Sequence, residues 1–143
     1  MPINKIKQRL AGEQGFTLIE LLVVIIILGI LVAIAVPSYL SFRGKAANAA
    51  AQANVRSAIP AAESFYNDPL TGNNSYTAIT GAALRLQAPG VDPNVKAGQN
   101  AAGTGYCVQD VASGATYNYQ GGSGGSAVIA TGICPAGTYA SVT

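Results

Sequence analysis

One long apolar run dominates the hydrophobic pattern of this 143-residue chain. Every residue from Leu21 to Val36 is apolar, with only Gly29 lacking a side chain. The 21 residues of Phe16–Val36 span about 30 Å as an α-helix, which is the thickness of a bilayer's hydrocarbon core. We therefore predict a membrane-spanning helix that starts near Phe16 and covers residues 16–37.

A second, amphipathic pattern follows over residues 38–66, which are rich in alanine. Val55, Ile59, Ala62 and Tyr66 recur at helical spacing and predict the face that packs on a globular part. The opposite, polar face is supplied by Arg43, Lys45, Asn48, Gln52 and Arg56. The pattern predicts one long helix, half of it a membrane anchor and half a support for the head.

Two prolines interrupt the predicted helix. Pro37 has no N–H to donate to the carbonyl of Ala33, and its ring clashes there, so we expect a kink or a local loss of helix between Gly29 and Pro37. The same reasoning at Pro60 predicts a second bend or an early end of the helix.

Residues 67–143 predict a small head made of short elements. Asn67–Asn74 is dense in turn-forming residues and ends the long helix. Ala82–Ala88 predicts a short helical turn, and Gly121–Gly125 a flexible hairpin loop. Brief segments rich in valine, isoleucine, threonine or tyrosine predict four strands: Asp92–Ala97, Tyr106–Val111, Ala115–Gln120 and Ala127–Thr131. The fold class is therefore α+β.

Charge separates the first fifteen residues from the rest. Lys5, Lys7 and Arg9 against Glu13 account for the whole net charge of +2. The remaining chain is neutral, and with 10% charged residues it presents no electrostatic case for binding nucleic acid. An ordinary secretory signal is cut after its apolar stretch, whereas here the basic segment precedes a stretch that we expect to be kept.

Glu20 is the only carboxylate in the predicted membrane helix. An ionisable group in such a helix costs about 2.5–3.5 kcal/mol, which favours a functional role with a partner. Two interpretations stay open. Thr17 and Glu20 have the spacing of a capping box, in which the carboxylate accepts from free amides at the helix start; alternatively, Glu20 acts between subunits.

The segment Gly15–Leu21, which reads Gly-Phe-Thr-Leu-Ile-Glu-Leu after a short basic leader, resembles the cleavage and assembly motif of type IV pilins and type II secretion pseudopilins. The resemblance implies removal of residues 1–15 by a dedicated membrane peptidase that cuts between Gly15 and Phe16. The same enzyme would N-methylate Phe16, and Glu20 would guide assembly of a helical filament. It also implies the pilin fold, a long N-terminal helix packed on a small antiparallel sheet, with a globular head over residues 67–143.

Under this resemblance the role of Glu20 between subunits is electrostatic. Cleavage creates a cationic amine on Phe16, and methylation preserves the charge. Pairing that amine with Glu20 of a neighbour would remove two uncompensated charges from an apolar environment. Unit charges 4 Å apart interact by about 4 kcal/mol at an effective dielectric of 20, before desolvation. A wrong axial register would leave both charges unpaired.

Cys107 and Cys134 have neither zinc-ribbon nor CxxC spacing, and we predict that they form a disulfide. Such a bond favours an oxidising compartment and stabilises the fold by about 3.5 kcal/mol through loop entropy. The resemblance implies a disulfide-bounded C-terminal loop. Asp68, Asn73 and Asn74 lack EF-hand spacing, so we expect no metal site.

The function that the resemblance implies is that of a structural subunit, most like a major type IVa pilin, in a filament used for adhesion and twitching motility, with DNA uptake as a further family activity. Its partners would be copies of itself, the prepilin peptidase and N-methyltransferase, and the pilus assembly platform. The subunit would span the cytoplasmic membrane once and then enter an extracellular filament. A type II secretion pseudopilin or a minor pilin is the alternative, although the tryptophan-containing calcium motif of major pseudopilins is absent.

A membrane-anchored enzyme is the alternative from another class. The chain has no histidine, its two cysteines are assigned to a disulfide, and no paired carboxylates or serine–base arrangement can be read from the spacing. We therefore expect no enzymatic activity and no cofactor.

Overall fold

The computed structural model describes residues 15–112, 115–140 and 142–143. The α+β class is confirmed. Most of the predicted leader, residues 1–14, lies outside the described residues. The elements in chain order are helices α1 (Leu18–Asn67) and α2 (Gly81–Gln87) and strands β1 (Lys96–Asn100), β2 (Gly105–Ala112), β3 (Ala115–Gly122), β4 (Ile129–Thr131) and β5 (Tyr139–Ala140).

Helix α1 is continuous over 50 residues and passes through both prolines. The expected early end at Pro60 is wrong. Ala58, Ala61 and Phe65 on either side of Pro60 are buried in the core, and that packing offsets the roughly 3 kcal/mol that an interior proline costs. No loss of helix occurs between Gly29 and Pro37, and a kink there stays a prediction.

The chain divides after Leu40 into two compact units. In the first unit the side chains from Phe16 to Val36 are exposed throughout. Helix α1 is long and apolar enough to cross a membrane, and it is the one such helix in the part of the chain described here. A continuous apolar surface of this size requires a bilayer or other apolar helices to cover it.

The core of the second unit lies between one face of α1 and the sheet. The face of α1 toward this core is formed by residues that recur every three or four positions, and all of them are buried: Ala51, Val55, Ala58, Ala62 and Phe65. The predicted face is therefore slightly rotated, since Ile59 and Tyr66 are only half-buried. The core is completed by Tyr76, Ile79, Leu84, Val91, Val95, Ala97, Tyr106 and Val108.

The sheet is antiparallel with strand order β4-β3-β2-β1-β5. The predicted strand Asp92–Ala97 is displaced, because the Asp92 side chain accepts from the N–H of Asn94 at 2.8 Å and the Asp92 carbonyl accepts from Val95 at 3.0 Å. These bonds make a turn, and β1 starts only at Lys96. The two-residue strand β5 was not predicted.

The first two glycines after Gln120 belong to the sheet and not to a loop. Gly121 and Gly122 belong to β3 rather than to the predicted hairpin loop. A Cβ on Gly121 would lie 2.5 Å from the Tyr106 ring, so glycine is needed there for strand pairing beside a large buried side chain.

The predicted disulfide is present between Cys107 and Cys134. Because side chains alternate along β2, Cys107 lies on the face opposite Tyr106 and Val108. It forms a second buried cluster there with Cys134 and Tyr139. The bond therefore fastens the C-terminal segment to the outer face of the sheet.

Candidate assembly site

The start of α1 is closed by a capping box. Thr17 immediately precedes the helix, and its Oγ1 accepts from the N–H of Glu20 at 3.3 Å. In return, Oε2 of Glu20 accepts from the N–H and the hydroxyl of Thr17, each at 2.8 Å. Two donors that a helix start leaves without partners are thereby satisfied. In the single chain, Glu20 therefore acts as a capping residue of α1.

The surroundings of this carboxylate are apolar and exposed. Phe16, Ile19, Val23 and Val24 line a shallow groove beside Glu20. Among the described residues, the hydrogen bonds that reach this carboxylate use Oε2 and not Oε1. One carboxylate oxygen thus keeps its capacity to accept from a donor outside the chain.

The predicted site residues fall into separate places. Gly15, Phe16 and Glu20 lie together at the start of α1, whereas Gly29 and Pro37 lie further along the same helix. Cys107 and Cys134 belong to the second unit. Cleavage after Gly15, methylation of Phe16 and assembly through Glu20 stay predictions.

A second polar cluster was not predicted, and it ties the head together. Glu63 on α1 accepts from the hydroxyl of Tyr76 through Oε2 and from that of Tyr106 through Oε1, both at 3.0 Å. Tyr66, Tyr76, Tyr106 and Tyr119 follow one another with ring centroids 4.7, 4.6 and 6.1 Å apart. The pKa of Tyr76 and that of Tyr106 are both raised, chiefly by burial of the hydroxyls and secondly by the neighbouring Glu63. No local sequence pattern predicts this cluster, because its members come from a helix, a loop and two strands.

Asp110 is a further polar residue inside the head, with 1% of its surface exposed. Its Oδ2 accepts from the side-chain amide of Asn54 at 2.9 Å, and its Oδ1 has no hydrogen-bond partner. A carboxylate held in this way is costly to bury. The pair joins β2 to α1 within the core.

The oxygen-rich loop after α1 is used for its own structure. Asp68 accepts from the Leu70 N–H through Oδ1 and from the Gln87 side chain through Oδ2, both at 2.9 Å. These bonds, that of Gln87 first, lower the pKa of Asp68. Within residues 15–112, 115–140 and 142–143, no three His, Cys, Asp or Glu side chains gather as a metal site would require.

Known proteins resemble the chain at the N-terminal segment and beyond it. The family profile described as "Prokaryotic N-terminal methylation motif" matches residues 10–36. The type IV wide pilus major component PilA4 of Thermus thermophilus is 36% identical over 106 residues, which are 73% of this chain and 78% of that protein. The type IV narrow pilus major component PilA5 of the same species is 41% identical, covering 47% of this chain and 69% of that protein.

A third relative matches over a shorter length. The type IV major pilin protein PilA of Myxococcus xanthus is 40% identical over 56 residues, or 39% of this chain, and the match spans only 26% of that protein. No solved structure matches the chain significantly. With the Thermus relatives matched over more than two thirds of their length, and with the apolar N-terminal helix and antiparallel sheet described above, the chain belongs to the type IV pilin family.

Proposed function

We propose that this chain is the structural subunit of a type IV pilus, which polymerises after its leader is removed. The observation that carries the proposal is a membrane-length helix with an entirely exposed apolar surface and one carboxylate, Glu20, beside the cleavage motif. The relatives named as pilus major components support it.

The chemistry of assembly begins with cleavage between Gly15 and Phe16. Hydrolysis of that peptide bond turns the amide nitrogen of Phe16 into a cationic amine, and N-methylation leaves it cationic. Oε2 of Glu20 stays engaged with Thr17 at 2.8 Å, while Oε1 receives the amine of a neighbouring copy. Both charges are then compensated in a low-dielectric surrounding, where an unpaired charge is most costly.

The apolar surface supplies the driving force and the need for a partner. In the membrane, lipid covers the residues from Leu21 to Val36. Outside the membrane only other apolar surface can cover them, and copies of the same helix provide it. The axial register among copies is selected by the Glu20–amine pair, because a shift leaves both charges unpaired.

The remaining partners follow from this route. The subunit waits in the cytoplasmic membrane, is processed by the prepilin peptidase and N-methyltransferase, and is passed by an assembly platform into an extracellular filament that serves adhesion and twitching motility. The Cys107–Cys134 disulfide supports an oxidising location for the second unit.

Electron microscopy of surface-sheared material, combined with mass spectrometry of the subunit, tests the proposal. We expect thin fibres whose subunit begins at methylated Phe16. A monodisperse membrane protein that keeps Met1, from cells without fibres, would overturn it.

A further inference from the structure

An exposed aromatic residue follows the apolar run of the first unit. The run ends at Val36, and Tyr39, three positions later, has 66% of its surface accessible. Tyrosine is enriched where membrane helices leave the hydrocarbon core, because its ring is apolar and its hydroxyl is polar. When residues 16–36 cross a bilayer, the lipid headgroups therefore lie at the part of the sequence that starts near Tyr39.

The second unit begins with two exposed cations in this part of the sequence. Arg43 and Lys45 follow Val36 by seven and nine positions, which a helix spans in about 10 and 14 Å. Phe42 directly precedes Arg43, with 71% of its surface accessible. The headgroup layer is about 5–8 Å thick. Side chains of a helix lean toward its N-terminus, so both long cationic side chains can extend back to that layer.

These two cations are not engaged by the chain itself. Residues 21–62 contain three cations, Arg43, Lys45 and Arg56, and no acid. Within the described part of the chain, the cationic side chain that donates a hydrogen bond is that of Arg85, which donates to the carbonyl of Pro93 at 3.3 Å. Arg43 and Lys45 therefore keep their capacity to bind an anion outside the chain.

The acids of the second unit are poorly suited to be that anion in another copy. Glu63 and Asp68 each use both carboxylate oxygens within the chain, and Asp110 is buried. Among the described acids of this unit, that leaves one oxygen of Asp92, whose other oxygen accepts from the N–H of Asn94. An anionic lipid surface, by contrast, carries many phosphates and adjoins the end of the span.

We propose that Phe42, Arg43 and Lys45 form a headgroup site for anionic phospholipid on the side of the membrane where the span ends. The two cations pair with lipid phosphates, and Phe42 supplies apolar area beside them. Each basic residue near an anionic surface strengthens binding by about fivefold. The site fixes the depth of the span in the bilayer. It goes beyond the proposed function, because it requires that α1 cross a membrane and not that the chain polymerise.

Photo-crosslinking in vesicles tests the site. The full chain, with a benzophenone amino acid in place of Phe42, is reconstituted in equal parts of phosphatidylglycerol and phosphatidylcholine with the same acyl chains. Mass spectrometry after irradiation should find phosphatidylglycerol attached at least about fivefold more often than phosphatidylcholine, with a weaker preference at about 1 M salt. The same reagent at Leu86, which is also exposed, is the matched control and should attach little lipid.

Removal of charge provides a second readout. Arg43→Gln with Lys45→Gln should abolish the preference for phosphatidylglycerol at the Phe42 reagent, because no cation is left beside it. Arg56→Gln with Lys96→Gln removes the same charge at exposed positions elsewhere in the second unit and should keep the preference. If both variants keep it, or both lose it, the headgroup site is wrong.

The outcomes separate this site from the proposed function. If the Phe42 reagent joins two copies of the chain and attaches no lipid, the stretch is a contact between copies and the headgroup site is overturned. If cells make fibres but the vesicles show no preference for phosphatidylglycerol, the site is wrong and the pilin function stands. If the preference is present but wild-type cells make no fibres, the site stands and the proposed function fails.

Discussion

At the scale of single residues, Glu20 has two roles that are separable. Within one chain its Oε2 completes the cap of α1 with Thr17, while pairing with a neighbour's amine requires its charge. A side chain that keeps the acceptor oxygen and loses the charge distinguishes the two, since capping needs only an acceptor.

We predict that the Glu20→Gln variant is cleaved after Gly15 normally but forms at least tenfold fewer fibres when it is the only subunit. The amide oxygen preserves the cap, whereas the intersubunit charge pair is lost; tenfold corresponds to about 1.4 kcal/mol. Fibre yield and the subunit's N-terminal mass are the measurements. Wild-type fibre yield from this variant would remove the charge-register mechanism and leave Glu20 as a capping residue.

Glu63 is the residue on which the head's polar cluster depends. Glu63→Ala leaves the hydroxyls of Tyr76 and Tyr106 without their acceptor, and we expect a loss of about 2–3 kcal/mol in the free energy of unfolding. Denaturant unfolding of the detergent-solubilised chain, followed by near-ultraviolet tyrosine signals, measures it. Glu63→Gln retains an acceptor and should lose less; equal losses would show that packing, and not hydrogen bonding, is responsible.

The same tyrosines make the head sensitive to alkali. Burial and Glu63 raise the pKa of Tyr76 and Tyr106 in the folded state, whereas tyrosine in the unfolded chain has its ordinary pKa of about 10. The stabilisation is therefore complete below about pH 10 and falls as pH rises above it. Unfolding free energies measured from pH 8 to about 11.5 should show this decline, and Tyr106→Phe should make it shallower. An identical slope in that variant would be evidence against the assignment.

At the scale of elements, packing prevails over local preference in α1. Pro60 predicts a bend or an early end, and the early end is absent: α1 continues to Asn67 because Ala58, Ala62 and Phe65 bury a continuous face in the core. At Asp92 a local hydrogen bond prevails over the strand pattern. The N–H of Asn94 donates to the Asp92 side chain and folds these residues into a turn, although their alternation alone predicts a strand.

We predict that Pro60→Ala stabilises the second unit by about 1–2 kcal/mol. The change restores a helix donor and removes the ring clash, which together are worth about 3 kcal/mol, and it loses about 1 kcal/mol of proline's restriction of the unfolded chain. Pro60 is exposed, so no core contact is removed. Denaturant midpoints check this, with Ser57→Ala as an exposed control on the same helix; a lower midpoint for Pro60→Ala would show that the proline sets a bend that the packing needs.

At the scale of the whole molecule, the disulfide closes the second cluster of buried side chains. Cys107→Ser with Cys134→Ser should lower the free energy of unfolding by about 3–4 kcal/mol, since the bond links residues 27 positions apart and loop entropy is then returned to the unfolded state. Thermal unfolding of the purified chain with and without reductant measures it. If reduction leaves the wild-type midpoint unchanged, the outer-face contacts of Tyr139 alone hold the C-terminal segment.

Local patterns determined the elements whose causes are local. The apolar run, the Thr17–Glu20 cap, the short helix near Ala82 and the turn-rich segment after Asn67 each depend on residues within a few positions of one another. The predicted strands Tyr106–Val111 and Ala115–Gln120 agree with the observed β2 and β3 to within two residues at each end, because glycines and β-branched or aromatic residues mark them. The N-terminal motif also led to the family.

Only the tertiary structure decided which distant residues meet. Glu63 accepts a hydrogen bond from Tyr106, which is 43 positions away in the sequence, and Asn54 donates one to Asp110, which is 56 positions away. Strand β5 exists because β1 offers a free edge beside it, and its own two residues carry no pattern. Sequence by itself therefore determined the apolar run of α1, its single carboxylate Glu20 and the Thr17–Glu20 cap, because each depends on residues within a few positions of one another. The rotation of α1 on the sheet and the polar cluster were decided by packing, in which each side chain's partner depends on all the others.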